Sequence, residues 1–491
     1  MEKSIHIAVV PGVGYSHLFP LLQFSKLLVH LHPYFHVTCL VPSLGSPPSD
    51  SKSILQTLPS NINCTFLPSV DSKDLPQGIP LEIQLQLTLA HSLPSIHEAL
   101  KSLSLRTPLV ALLVDSFAVK ALDLAKEFNM LSYVYFPSAA TTLSSYYHLL
   151  KLDKVTSCEY RDLPEAIQLP GFVPIHGRDL VDQAQDRSSQ TYKLLLERVE
   201  RIRLVDGILI NSFLEIERGS IEALTEEGSG NPPVYVVGPI IQKGTKSDDD
   251  VKRLECLSWL DKQPPCSVLY VSFGSGGTLS QEQIDELAFG LELSDQKFLW
   301  VLRAPSSSAN SAYLSQNDVD PLEFLPSGFL ERTKEKGLVI PSWAPQIQIL
   351  SHSSVGGFLT HCGWNSTLES MVHGVPLITW PLFAEQRTNA VMLSEGLKVG
   401  LRPRLNENGI VERVQIAELI KRLLEGEEGE KLRNNMKELK EAANGAVKED
   451  GSSTKTLSQL ALKQWRIQKF LLVGAKSSVT ILTKKILQIL K

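Results

Sequence analysis

PLVALLVDSF, residues 108–117, is apolar without interruption until Asp115. A strand with one face in water alternates polar and apolar residues. A run that never alternates must be buried on both faces, which in practice means a parallel sheet covered by helices on either side. IHIAVV (5–10), FHVTCLV (35–41), SYVYF, GILINSF (207–213) and VYVVGP (234–239) read the same way, with helical patterns such as LFPLLQFSKLLVHL and AVKALDLAKEF between them. After the polar stretch QKGTKSDDDVK (242–252), the alternation restarts with SVLYVSF, a helix from about 280 to 294, KFLWVLR, GLVIPSW, VGGFLT, VPLITWP and KVGLRP. Strand–helix alternation of this kind predicts doubly wound α/β architecture. Two such halves fit a chain of 491 residues, which is long for one domain.

In such folds ligands bind beyond the carboxyl ends of the strands. That rule singles out His17, just after the first strand, and Asp115, at the end of VALLV. If both emerge on one edge, the carboxylate can fix the imidazole tautomer and stabilise its protonated form, making a general base. The structural alternatives are a helix cap or a loop histidine for His17 and a helix cap for Asp115. The neighbouring GVG resembles a dinucleotide fingerprint, but His17 stands where the third glycine belongs. In the second half, VSFGSGGTLS (271–280) offers Gly274, Gly276, Gly277 and Ser275 at a strand–helix transition. It could admit a phosphate or be a simple turn, and the GxxxxGK[ST] signature is absent. HCGWNSTLES (361–370) combines His361, Trp364, Asn365, Ser366 and Glu369. Ser366 with Glu369 three positions on fits a capping box.

Composition excludes several classes. The 43% hydrophobic content argues against disorder, and a net charge of −5 gives no footprint for nucleic acid. Six scattered cysteines without a CxxC pair read as reduced thiols of an intracellular protein. The apolar stretch before Gly12 is too short for a signal peptide, and no run is long enough to span a membrane. The sequons at Asn63 and Asn365 are therefore read as chance matches. DDD (248–250) and DVD (318–320) match the DxD pattern that can hold a divalent metal, but both lie in polar, loop-like stretches and read as solvated charge, so no metal is expected.

The stretch WAPQIQILSHSSVGGFLTHCGWNSTLESMVHGVPLITWPLFAEQ, residues 343–386, resembles the signature box of plant secondary-product UDP-glycosyltransferases. WAPQ, HCGWNS, the LE after it, GVP, WP and AEQ all occur in order. FGSGGTLS, DPLEFLPSGFLERT and RNNMKELKEAA further resemble the hydroquinone and phenylpropanoid glucosyltransferase branch, and the likeness runs from about residue 4 to 466. The resemblance implies a GT-B fold, two Rossmann-like domains facing across a cleft. It divides the chain into an acceptor domain (1–241), a linker (242–254), a UDP-sugar domain (255–450), a helical segment returning to the first domain (451–467) and an atypical tail (468–491).

It also implies roles. Trp343 would stack on uracil, with Ala344 and Gln346 on base and ribose and Glu369 on the ribose hydroxyls. His361, Asn365, Ser366 and Ser275 would surround the diphosphate. Trp364, Glu385 and Gln386 would hold the sugar, glutamine at the last position accompanying glucose in the family. His17 would be the base and Asp115 its partner. The implied activity is inverting transfer of glucose from UDP-glucose to a small phenolic acceptor by a cytoplasmic monomer that needs no cofactor. The acceptor pocket is expected from first-half loops near 71–95 and 138–150. The apolar, basic stretch after Arg466 is expected to be an appendage, an amphipathic membrane-surface helix being the alternative.

Overall fold

The computed structural model describes residues 4–45, 58–241, 250–310 and 319–468. The first half forms a sheet of seven strands: β1 (Ile5–Val10), β2 (Phe35–Val41), β3 (Ile62–Phe66), β4 (Leu109–Asp115), β5 (Leu131–Phe136), β6 (Gly207–Ile210) and β7 (Val234–Val236). They lie in the order β3-β2-β1-β4-β5-β6-β7, every pair parallel. The second half forms a six-stranded parallel sheet from β8 (Val268–Ser272), β9 (Lys297–Leu302), β10 (Gly337–Pro341), β11 (Val355–Thr360), β12 (Leu377–Thr379) and β13 (Gly400–Leu401), ordered β10-β9-β8-β11-β12-β13. These are the two Rossmann-like domains expected.

Both faces of each sheet are covered, as the unbroken apolar runs require. In β4, Leu112 and Val114 enter one core cluster and Ala111 and Leu113 the opposite one. In β8, Val268 and Tyr270 face one side and Leu269 and Val271 the other. Strand β3 is the departure. INCTF alternates buried with more exposed positions because it lies at the sheet edge, so it lacks the continuous run that marks its neighbours.

Each sheet reverses its strand order once, between β1 and β4 in the first and between β8 and β11 in the second. At these switch points the helices leave to opposite faces and open a crevice. His17 and Asp115 flank the first, Ser275 and His361 the second. The expected linker 242–254 lies outside the described residues over 242–249, and from Asp250 the chain is already helical, to Leu260. Residues 248 and 318 of the DxD matches are likewise outside, while Asp320 accepts the Leu322 N–H at 3.0 Å and caps a short turn. Among the described residues no helix is long and apolar enough to cross a membrane.

Candidate active site

The helix after β1 is Tyr15–Leu31, and its cap, Gly14, sits at φ +106°, a conformation that costs glycine little. That turn delivers His17 to the end of β4, where its Nδ1 lies 3.1 Å from Asp115 Oδ2. Gly12 explains the rest of the GVG: a Cβ there would stand 3.0 Å from both Asp115 Oδ1 and His17 Cγ. These glycines serve the close approach of imidazole and carboxylate. Asp115 is fully buried and its other oxygen accepts the Phe117 N–H at 2.8 Å. It therefore both caps the turn and holds the histidine. With Nδ1 donating to the carboxylate, Nε2 is left as the basic nitrogen. Burial alone would push the imidazole down. The charge and hydrogen bond of Asp115 more than reverse this, so His17 binds its proton above the usual value.

Across the cleft, the second switch point collects the box residues. The helix Trp364–His373 is capped by Gly363, with no side-chain cap, so Ser366 lies inside its first turn. The capping-box reading is therefore wrong: Ser366 stands three residues after the cap. Its hydroxyl instead accepts from Gln346 Nε2 at 3.0 Å, and Glu369 Oε2 accepts from the same amide nitrogen at 2.7 Å. Burial raises the Glu369 carboxyl to about 7. His361 is pressed between glycines; a Cβ on Gly274 would come within 2.5 Å of its ring, and one on Gly363 within 2.4 Å. Its buried Nδ1 has no hydrogen-bond partner among the described residues. Burial, helped by Arg303, pushes the ring down to about 4, so at neutral pH it is an uncharged donor.

One cavity, of about 240 Å³, is lined by Trp343, Ala344, Gln346, Asn365, Ser366, Glu369 and Ser275. Trp343 is 42% exposed, an indole face presented to solvent at its rim. A second cavity, of about 260 Å³, runs from His17 past Ser275, His361, Asn365 and Ser366 to Glu385 and Gln386. Its other wall is Leu81, Leu85, Phe117, Phe136, Ser138 and Tyr146. Leu81, Leu85, Ser138 and Tyr146 fall within the two stretches expected to shape an acceptor pocket, whereas Phe117, Phe136, Gln183 and Arg198 lie outside them.

Two sugar contacts implied by the sequence are modified. The indole N–H of Trp364 donates to the Asn211 carbonyl at 2.7 Å, so its one side-chain donor is committed to the first domain. Gln386 Oε1 accepts the N–H groups of Leu382 and Phe383 at 2.9 and 3.0 Å, leaving the amide nitrogen to face a ligand. Glu385 Oε1 takes a hydrogen bond from Ser138 Oγ at 3.0 Å. Three further residues escaped the sequence reading. Arg303 follows β9 directly, and its Nε donates to the Gly274 carbonyl at 3.2 Å beside the first cavity. The strand-end rule that selects Asp115 selects Arg303 equally. Asp182 accepts the Ala384 N–H at 2.7 Å and ion-pairs with Arg387, while Asp179 pairs with Arg402. No local pattern marks those two aspartates.

The model of the UDP-glucoronosyl and UDP-glucosyl transferase family matches residues 245–425. Hydroquinone glucosyltransferase of Rauvolfia serpentina is 53% identical over 465 residues, spanning 94% of this chain and 98% of that protein. UDP-glycosyltransferase 72B1 of Arabidopsis thaliana is 51% identical over 471 residues, 95% and 98% of the two chains. Among solved structures, Phytolacca americana UGT2 complexed with UDP-2fluoro-glucose and pterostilbene superposes with a TM-score of 0.87 at 50% identity, covering 94% of this chain and all of that one.

Proposed function

Because the chain belongs to the plant family 1 UDP-glycosyltransferases, we propose that it transfers glucose from UDP-glucose to the hydroxyl of a small phenolic acceptor, with inversion to the β-glucoside. The observation that carries this reading is the His17–Asp115 pair, 3.1 Å apart, opening into the same cavity as Glu385 and Gln386. Relatives named for hydroquinone and solved with pterostilbene support a phenolic acceptor.

The donor would lie along the second switch point. Trp343 stacks on the base and Ala344 and Gln346 contact base and ribose. Glu369 accepts from the ribose hydroxyls. The diphosphate meets Ser275, Asn365, Ser366, the His361 ring N–H and the uncapped start of the helix Trp364–His373, where backbone N–H groups and the helix dipole favour an anion. Arg303 adds a positive charge. These donors stabilise the leaving diphosphate as the glycosidic bond breaks, and no metal is required in this account. The acceptor ring lies against Phe117, Phe136 and Tyr146 with its hydroxyl at His17. Nε2 removes the proton as the oxygen attacks the anomeric carbon from the face opposite UDP. Asp115 stabilises the imidazolium that results.

Purified protein supplied with UDP-glucose and a panel of hydroquinone-like phenols, monolignols and flavonols should yield monoglucosides by mass spectrometry. The anomeric proton coupling should be that of a β-glucoside. Failure to turn over any phenol would refute the activity, and an α-linked product would refute inversion. UDP-galactose should be the poorer donor, and equal rates would remove the donor-selecting role given to Gln386.

A further inference from the structure

The acceptor cavity contains a charge that this mechanism does not use. Arg198, on the helix Gln190–Ile202, is only 5% exposed and forms part of the cavity wall. Its guanidinium carbon stands 4.2 Å from the centre of the Phe117 ring and 5.6 Å from that of Tyr146. Its buried Nε has no hydrogen-bond partner among the described residues. Among the described residues no carboxylate stands within ion-pair distance of it: Glu197 pairs with Arg201 at 3.6 Å, Asp115 faces His17, and Glu385, held by Ser138, feels the guanidinium only at longer range. Glu82 lines the same cavity without pairing with it.

A buried guanidinium loses more in hydration than a cation–π contact returns. The two aromatic rings, a hydrogen bond to Tyr146 and the longer-range attraction of Glu385 therefore offset the charge only in part, and an apolar residue would fill the site at lower cost. The cation, with no carboxylate in direct contact among the described residues, faces a cavity whose remaining walls, Leu81, Leu85, Phe117 and Phe136, suit an aromatic ring. It stands on the acceptor side. Phe117, over which it stacks, also packs edge-on against His17 at 4.9 Å, whereas the diphosphate residues and Arg303 belong to the other sheet.

We propose that Arg198 is an anion-binding subsite of the acceptor pocket, and that the preferred acceptors are hydroxy-aromatic acids, their carboxylate on Arg198 and their phenolic hydroxyl at His17. This deepens the phenolic-acceptor reading and rests on it. A bound carboxylate also cancels a positive charge that opposes protonation of His17, so the acceptor improves its own base.

The test compares kcat/KM for 3- and 4-hydroxybenzoate with the matching hydroxybenzamides, near-isosteric but neutral, in the wild type, Arg198→Met and Arg198→Lys. The wild type should favour the acids. In Arg198→Met the acid-to-amide ratio should fall about 10–100-fold, the value of a charge-assisted hydrogen bond, chiefly through KM. Arg198→Lys should restore part of it. An unchanged ratio in folded Arg198→Met, or no acid preference in the wild type, overturns the subsite. So does a glucose ester product, which would place the carboxylate at His17. Should the variants fail to fold, the wild type decides: benzoate should compete with a neutral phenol at concentrations about tenfold below benzamide, and equal inhibition overturns the proposal. Turnover of neutral phenols alone sinks the subsite and leaves the parent activity standing, whereas turnover of no phenol sinks the parent activity.

Discussion

A histidine acts as a base only while it is neutral, yet it pulls hardest on a proton when its conjugate acid is stabilised. Asp115 tips His17 toward the second requirement. The acidic limb of kcat/KM should therefore lie above the pH of an ordinary histidine, rate being lost as pH falls through the raised value. Asp115→Asn should move that limb to lower pH while slowing turnover, because an amide does not stabilise imidazolium. His17→Ala should lower kcat about 10²–10⁴-fold for a weakly acidic phenol, and less for a phenol already partly ionised. Equal losses for both phenols would mean that proton removal is not what His17 contributes. Glu369 makes a separate test. Only its ionised form is a pure acceptor for two ribose hydroxyls, and burial holds it near 7. UDP affinity should thus rise with pH through about 7 and level off above, by calorimetry. Glu369→Gln should flatten that dependence, and a flat profile in the wild type would take the ribose away from Glu369.

At the scale of elements, the segments 177–184 and 382–388 act as a clasp. Asp182 accepts the Ala384 N–H, returns its own N–H to the Ala384 carbonyl at 3.0 Å and pairs with Arg387; Thr388 Oγ1 donates to the Asp179 carbonyl at 2.8 Å. Ala384 sits at φ +55°, just before Glu385 and Gln386, so the first domain holds the turn that presents both. Asp182→Ala should raise KM for UDP-glucose and lower kcat while leaving UDP affinity almost unchanged, since the cavity with Trp343 and Glu369 lies elsewhere. A matching loss of UDP affinity would show that the clasp supports the whole donor site. None of this clasp was legible beforehand, because its partners lie about two hundred residues apart and neither carries a local pattern. The strands were legible for the opposite reason: burial on both faces writes a continuous apolar run, as in β4, while edge strand β3 writes none. The box residues are gathered in advance by the resemblance of 343–386 to a family signature, and the fold places them beyond the ends of β10, β11 and β12 of one sheet. What each side chain does is not legible in that way. The local pattern around Ser366 fits a cap because the sequence does not show that the helix already begins at Trp364, and the Trp364 donor reads as available because its partner, Asn211, is in the other domain.

At the scale of the whole molecule, the chain returns at its end to where it began. The helix Ser452–Gln459 and the turn after it place Leu457, Leu460, Ala461 and Trp465 in the core cluster of the first sheet, beside Phe35, Val37 and Tyr133. Trp465 is fully buried, with its ring 5.8 Å from Phe35 and 5.6 Å from Tyr133, and Ser458 meets His32 at 3.2 Å. The first domain is thus completed by residues made after the second, and the two are joined by core packing as well as by the cleft. Gln468 still touches the Asn129 carbonyl at 3.3 Å, and the stretch expected to be an appendage lies, beyond it, outside the described residues. Two variants separate core from appendage. Trp465→Ala should cost about 3–5 kcal/mol, as loss of a large buried aromatic does. It should lower the melting temperature and expose the face of the first sheet that carries His17, with activity falling in step with the folded fraction. Ending the chain after Gln468 removes none of those contacts, so melting temperature and kcat/KM should match the full chain. A truncated protein that melts as early as Trp465→Ala would show that residues 469–491 cover the same core, and the boundary of the fold would have to be moved to the last residue.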